Sequence, residues 1–130
     1  SGGTYAGCTK YFKEQNPATR CYAVEPEGAA VLAGNDATKP DHPIQGGGYA
    51  MADLTMMQDV PVDGYLSVSG DDAMACARAL ARREGIFAGF SAGANLAAAL
   101  QLLRGPEQGK TIAIIMCDSG LKYLSTDLWP

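Results

Sequence analysis

Residues 86–103 read IFAGFSAGANLAAALQLL: a short apolar run, a glycine turn and a longer apolar run. The first run, 86–90, has the length of a strand. The second, 91–103, is apolar nearly all round, which predicts a helix that is buried. Arg-Gly-Pro at 104–106 then supplies residues that commonly end a helix. A strand that turns directly into a buried helix is a building unit of α/β proteins.

The alternation of strand and helix patterns continues on both sides of this stretch. Residues 111–116, TIAIIM, are apolar without interruption, as in a strand that is covered on both faces. Upstream, Ser69 with Asp72 three residues later predicts the start of a helix. We therefore predict an α/β fold, a mostly parallel sheet with helices on both faces, in one unit spanning 1–130. Its remaining elements are helices at 3–16 and about 119–126 and strands at 20–25 and 65–68.

Composition narrows the classes of function. The chain has 130 residues, a formal net charge of −4 and no basic run, which argues against a nucleic-acid partner. No stretch approaches the roughly 20 apolar residues of a membrane span, so we expect no membrane partner. The four cysteines lack the spacing of a zinc site, and there is one histidine. We expect no metal, free thiols and a reducing, cytoplasmic location.

Ligands of parallel α/β sheets gather where strands end and helices begin, and the sequence marks three such places. At Ser1-Gly2-Gly3-Thr4 the glycines allow backbone N–H groups to approach a phosphate at the start of a helix. The alternative is that this tetrapeptide only caps the helix. Cys117-Asp118-Ser119-Gly120 follows the apolar segment and is either a helix cap or a polar cluster beside Ser91.

The third place, 89–93, reads G-F-S-A-G and matches the G-x-S-x-G turn that carries the nucleophile of α/β-hydrolases. Three glycines at 46–48 resemble the oxyanion loop of lipases. Hydrolases, however, need their histidine after the serine, and His42, which we predict to be a surface loop residue, precedes Ser91. Because a serine without a base is a poor nucleophile, the hydrolase alternative requires a further C-terminal segment.

Five segments in order resemble the C-terminal part of the cysteine synthase and cystathionine β-synthase family, which comprises pyridoxal-phosphate enzymes of the tryptophan-synthase-β fold type. The resemblance covers essentially the whole chain and implies the C-terminal part of the large domain of a fold-type II enzyme. It also implies pyridoxal 5′-phosphate as cofactor. The matching segments are SGGTYAGCTKYFKEQNP at 1–17, YAVEPEGAAVLAG at 22–34, IQGGGYA at 44–50, the long stretch at 62–100 and CDSGLKYLSTDLW at 117–129.

The resemblance also implies roles for individual residues. The cofactor phosphate would be held by Ser1, Gly2, Gly3 and Thr4. The pyridine nitrogen would accept a hydrogen bond from Ser91, with Asp118 and Ser119 beside the pyridine edge. The substrate would lie near Gln45, Gly46 and Gly47. One departure is Cys117, which stands where the family usually has proline.

The implied reaction is a β-replacement that makes cysteine from O-acetylserine and sulfide, in an enzyme that is a homodimer. Alternatives within the family are cystathionine β-synthase and a serine or threonine dehydratase. Outside it they are the hydrolase fragment and a non-catalytic remnant that binds phosphate. We expect the Schiff-base lysine of the family to lie in an N-terminal part that this chain lacks, and the isolated chain to be inactive. None of the lysines present matches it: Lys10, Lys13, Lys39, Lys110 and Lys122.

Overall fold

The computed structural model describes residues 1–129 and shows an α/β arrangement of three helices and two strands. Shorter helical turns are of the 3₁₀ type at Thr55–Met57 and Gly120–Tyr123 and of the π type at Leu80–Glu84. The main elements are α1 (Gly3–Gln15), β1 (Tyr22–Pro26), β2 (Gly64–Val68), α2 (Gly70–Ala79) and α3 (Phe90–Arg104).

The sheet consists of β1 and β2, which pair in parallel with Tyr22 opposite Gly64 and Pro26 opposite Val68. Parallel neighbours need a long crossover connection, and residues 27–63 supply it here. Both strands therefore end at the same edge, where Pro26 and Val68 are buried. The predicted α/β class and parallel pairing are confirmed.

The closest packing in the molecule is between α2 and α3. Gly93 of α3 lies so near α2 that a Cβ at this position would be 2.0 Å from the carbonyl oxygen of Ala73 and 2.9 Å from Cβ of Ala77. Both alanines are fully buried. The apolar pattern at 91–103 therefore produces the buried helix that we predicted, one residue longer at each end. Around this contact the core adds larger side chains: Ile44, Val68, Phe90, Tyr123 and Leu128.

The predicted start of α2 is also confirmed. The hydroxyl oxygen of Ser69 accepts a hydrogen bond from the backbone N–H of Asp72 at 3.1 Å. The same hydroxyl donates to Oδ2 of Asp72 at 2.8 Å. Serine before the first turn thus satisfies one of the N–H groups that a helix leaves without a partner.

The sheet is smaller than predicted, because neither 86–90 nor 111–116 forms a strand. Residue 90 already belongs to α3, and Ala88 makes a single antiparallel bridge with Ser119. The 111–116 segment has no regular secondary structure and pairs with no strand among residues 1–129, and its Ile115 is 50% exposed. An apolar run records a preference for burial, but a strand also needs a neighbour to bond with. The predicted helix at 119–126 is reduced to the 3₁₀ turn.

No helix within residues 1–129 combines the length and the apolar character that crossing a membrane requires.

Replacing Gly93 by alanine tests the central contact. The added methyl would enter the backbone of α2, and overpacking of this kind costs about 1–3 kcal/mol. We expect G93A to lower the free energy of unfolding, measured by urea titration, by at least 2 kcal/mol on that scale.

The matched control is Gly7→Ala. Gly7 is also within a helix, but a Cβ there would meet nothing within 4 Å. Alanine favours helix by roughly 0.5–1 kcal/mol over glycine, so G7A is expected to stabilise the protein. Equal effects of the two variants would contradict the packing described for α2 and α3.

Candidate active site

Ser91 lies in the first turn of α3 and lines a cleft of about 70 Å³. The other walls come from the end of β1, including Glu25 and Pro26, and from Gly47 and Gly48 of the glycine segment. The structure therefore brings Ser91 and Gly47 to one cleft, at the carboxyl end of a parallel strand. Two further residues expected near the substrate, Gln45 and Gly46, are exposed beside the cleft wall.

Glu25 fixes the chain that leaves β1. Its carboxylate is 4% exposed and accepts hydrogen bonds from the N–H groups of Leu32 at 2.8 Å and Ala33 at 3.0 Å. Two charge-assisted hydrogen bonds offset the cost of burying this acid. Glu25 was not predicted from the sequence as a residue of the site. The pattern that could have indicated it is an acid at an inward position of a strand, directly before a proline.

The one histidine is not the surface residue that we predicted. His42 is half-buried, and its Nε2 lies 2.9 Å from the carbonyl oxygen of Gly48. It bonds to the glycine segment rather than to Ser91, which leaves Ser91 without a general base among the described residues. This arrangement does not support the hydrolase alternative.

Asp118 lies against the turn that precedes Ser91. The N–H of Gly89 donates to the backbone oxygen of Asp118 at 3.2 Å, and the N–H of Gly120 donates to the oxygen of Phe87 at 3.1 Å. The two segments therefore meet through an antiparallel bridge, and not through adjacent parallel strands as we expected. Ser119 caps the following turn, since its hydroxyl oxygen accepts the N–H of Leu121 at 3.3 Å.

The side chain of Asp118 is held at one oxygen only. Its Oδ2 accepts a hydrogen bond from the hydroxyl of Tyr123 at 2.6 Å and lies 3.6 Å from Nζ of Lys122. Burial and the hydrogen bond to Asp118 raise the pKa of Tyr123 to about 12, so the phenol stays protonated at neutral pH. The second oxygen, Oδ1, is buried and has no hydrogen-bond partner among residues 1–129.

The other predicted site is at the amino end of α1. Gly2 adopts a left-handed conformation with φ of 76°, and the first helical bond runs from Ala6 N–H to Gly2 O at 2.9 Å. The N–H groups of Thr4 and Tyr5 therefore have no carbonyl partner within the helix. Such a helix end attracts anions.

The chain around Thr55–Met57 packs on this helix end. The N–H of Met56 donates to the carbonyl oxygen of Ser1 at 3.2 Å, and a Cβ on Gly2 would be 2.3 Å from Cγ of Met57. Within residues 1–129 no hydrogen bond joins the Ser1–Thr4 segment to Ser91. The structure thus shows two separate features, an anion-attracting helix end and a cleft with a serine hydroxyl.

A larger groove, of about 380 Å³, runs along the C-terminal half of α1. It is lined by charges of both signs, among them Lys10, Glu14 and Asp59. None of the predicted site residues lines it. The volume of a groove alone therefore does not identify the site, because the residues predicted to bind cofactor or substrate lie outside this groove.

Comparison with known proteins gives a consistent assignment. A family model described as "Pyridoxal-phosphate dependent enzyme" matches residues 1–118. A cysteine synthase of Staphylococcus aureus is 36% identical over 129 residues, which are 99% of this chain and 41% of that protein. The chain thus spans about two fifths of the length of this relative.

Solved structures agree with the sequence relatives. The chain superimposes on a cysteine synthase of Entamoeba histolytica with a TM-score of 0.89 and 38% identity, covering 98% of this chain and 37% of the other. With an O-acetylserine dependent cystathionine beta-synthase of Helicobacter pylori the TM-score is 0.88 and the identity 32%, over 99% and 41% of the two chains.

The helix end that begins after Gly2, the cleft lined by Ser91 and the family match are consistent with one another. The fold is that of the fold-type II enzymes among these neighbours. The chain belongs to the pyridoxal-phosphate dependent enzyme family.

Proposed function

We propose that this chain forms part of an enzyme that makes cysteine from O-acetylserine and sulfide by β-replacement, with pyridoxal 5′-phosphate as cofactor. The observation that carries the proposal is the cleft that Ser91 lines together with Gly47 and Gly48, in a chain of this family. A relative named cysteine synthase is 36% identical to this chain over 129 residues, which are nearly the whole chain.

The residues present fit the cofactor at both of its ends. We infer that a phosphate would be held at the amino end of α1 by Ser1, Gly2, Gly3 and Thr4, where the N–H of Thr4 has no carbonyl partner within the helix and the helix dipole is favourable. A pyridine nitrogen suits a neutral hydroxyl donor, and Ser91 provides one at the start of α3. The partnerless Oδ1 of Asp118 is a buried acceptor close to the same turn. Bound at this site, the cofactor supplies an electron sink for the bonds at the substrate's Cα.

The character of Ser91 favours replacement over transamination. A hydroxyl donates a hydrogen bond to the ring nitrogen but does not transfer its proton as a carboxylic acid does. The sink is therefore weaker, which suits elimination and addition at Cβ of the substrate. We further propose that Asp118 and Ser119 lie beside the pyridine edge of the cofactor and that Gln45, Gly46 and Gly47 adjoin the amino-acid substrate.

Related properties of the complete enzyme belong to the same proposal. They are a small amino acid and a thiol as substrates, no nucleic-acid or membrane partner, a homodimeric state, a cytoplasmic location and a Schiff-base lysine contributed by the N-terminal part of the family's fold.

A second thiol acceptor is favoured by one observation. The Helicobacter pylori neighbour, at a TM-score of 0.88, is named an O-acetylserine dependent cystathionine beta-synthase. Homocysteine is therefore the alternative to sulfide with the same amino-acid substrate. The experiment co-expresses this chain with the part of the Staphylococcus aureus cysteine synthase that it does not match, then compares cysteine and cystathionine formation. Faster cystathionine formation would overturn the assignment of sulfide.

A negative charge at Thr4 tests the phosphate site. Glutamate in the first turn strengthens a helix by about 0.3–1 kcal/mol through the dipole, but it repels a bound phosphate. We expect T4E to raise thermal stability and to weaken binding of inorganic phosphate, measured by calorimetric titration, by about threefold.

The matched control is Gln15→Glu, which adds the same charge at the opposite end of α1. Phosphate affinity should stay unchanged in Q15E, and stability should fall slightly. If both variants lose phosphate affinity equally, the effect is one of net charge and the site at Thr4 is wrong.

Removing the Ser91 hydroxyl tests the ring contact. One neutral hydrogen bond contributes about 0.5–1.5 kcal/mol, so S91A is expected to weaken binding of pyridoxal 5′-phosphate about three- to tenfold. Binding of inorganic phosphate should be unaffected, because phosphate lacks the ring. The exposed Ser125 offers a control in S125A. Unchanged affinity for the cofactor in S91A would remove Ser91 from the site.

The third test concerns residues 1–130 assayed alone, which we expect to form no cysteine above the rate of free cofactor. Catalysis needs a lysine amine within reach of the cofactor carbonyl, and none of the chain's lysines lines the Ser91 cleft. Lys10 and Lys13 are on α1. Lys122 faces Asp118 but is 67% exposed. The measurement is cysteine release from O-acetylserine and sulfide with added pyridoxal 5′-phosphate. Turnover that Lys122→Arg abolishes would contradict this expectation.

A further inference from the structure

The glycine segment beside the Ser91 cleft holds an unusual backbone path. Gly46 and Gly48 have φ of 87° and 64°, and Ala50 follows at 54°. A left-handed conformation is costly for alanine because its Cβ crowds the backbone. A path of this kind persists only where surrounding contacts hold it.

Two rings pack against Gly48. A Cβ at Gly48 would be 2.4 Å from Cγ of Pro26 and 2.9 Å from Nε2 of His42. Pro26 is the last residue of β1 and is buried, so it offers a rigid surface. His42 Nε2 lies 2.9 Å from the oxygen of Gly48. Gly48 thus contacts both the end of the sheet and the imidazole, and we call this pair of contacts the clamp.

The hydrogen bond determines where the imidazole carries its proton. A carbonyl oxygen only accepts, so Nε2 of His42 must be the donor. The other ring nitrogen, Nδ1, is buried and has no partner among residues 1–129. A proton there would lack an acceptor, whereas a bare lone pair leaves no N–H donor unsatisfied. The arrangement therefore favours the tautomer with hydrogen on Nε2 over the tautomer with hydrogen on Nδ1.

We propose that His42 is a positioning residue, which through Gly48 fixes the backbone of Gly47 and Gly48 as one wall of the Ser91 cleft. The identity of the ligand in that cleft rests on the proposed function, whereas the clamp itself does not. The ligand would meet a wall that is already in place, which lowers the entropy cost of binding.

The chain offers a direct measurement, because it contains a single histidine. A long-range ¹H–¹⁵N spectrum of the unmodified protein at neutral pH reports which imidazole nitrogen is protonated. We expect the Nε2–H form. The Nδ1–H form would overturn the proposal without any variant being made.

Three variants then test the clamp. H42F keeps a ring but removes the donor, H42Q retains an N–H donor of similar reach, and D41N changes the exposed neighbour. The hydrogen bond's net contribution of about 1 kcal/mol corresponds to about fivefold in an equilibrium. We expect the population of an opened conformation of Gly47 and Gly48, measured as conformational exchange by ¹⁵N relaxation dispersion, to rise about fivefold in H42F, to be restored in H42Q and to be unchanged in D41N. Equal exchange in H42F and the unmodified protein would overturn the proposal.

A titration with pyridoxal 5′-phosphate separates this proposal from the proposed function. H42F should bind the cofactor about fivefold more weakly, with H42Q restoring affinity, while inorganic phosphate binds both alike. If exchange at Gly47 and Gly48 rises in H42F but the affinity of H42F for the cofactor does not fall, the positioning role is wrong. If the unmodified protein does not bind the cofactor but the exchange differences are present, the proposed function fails and the clamp is supported.

Discussion

The contact between Gly93 and the backbone of α2 is the constraint on which the rest of the structure depends. A helix pair joined by leucines leaves its axes 8–10 Å apart and its first turns free to shift. Here the missing Cβ lets α3 rest directly on the carbonyl of Ala73. Because Gly93 is two residues after Ser91 in the same helix, this contact also fixes the position of the Ser91 backbone at the cleft. One turn of helix therefore takes part both in the central packing and in the wall of the cleft.

The cleft depends on a second support, supplied by the crossover connection. Glu25 binds the turn at Leu32 and Ala33, and the next residue, Pro26, meets Gly48. Adjacent residues of β1 therefore organise two parts of the long connection, the turn near its start and the glycine segment near its middle, although most of that connection is irregular. An irregular segment can form a defined wall when its backbone groups are satisfied by side chains from a rigid element.

Local patterns predicted the three long helices and the two paired strands well, but not the short turn that replaces the helix expected at 119–126. Ser69 and the apolar run at 91–103 carry signals that tertiary structure did not override. The predictions failed where the outcome depended on a neighbour. The 111–116 segment has the composition of a buried strand but no strand beside it among the described residues. His42 was wrongly assigned to the surface because its partner is a backbone carbonyl, which leaves no mark in side-chain spacing.

The apolar segment at 111–116 also has a consequence for the aggregation of the isolated polypeptide. Its sequence, TIAIIM, combines four β-branched residues with no charge, no proline and no glycine, which is the composition of segments that form steric zippers. Its backbone is not shielded by a strand among residues 1–129. Copies of this segment in different molecules are therefore suited to pair with each other, and loss of protein to fibrillar aggregates should rise steeply with concentration. A lysine at the exposed Ile115 would act as a gatekeeper against that association.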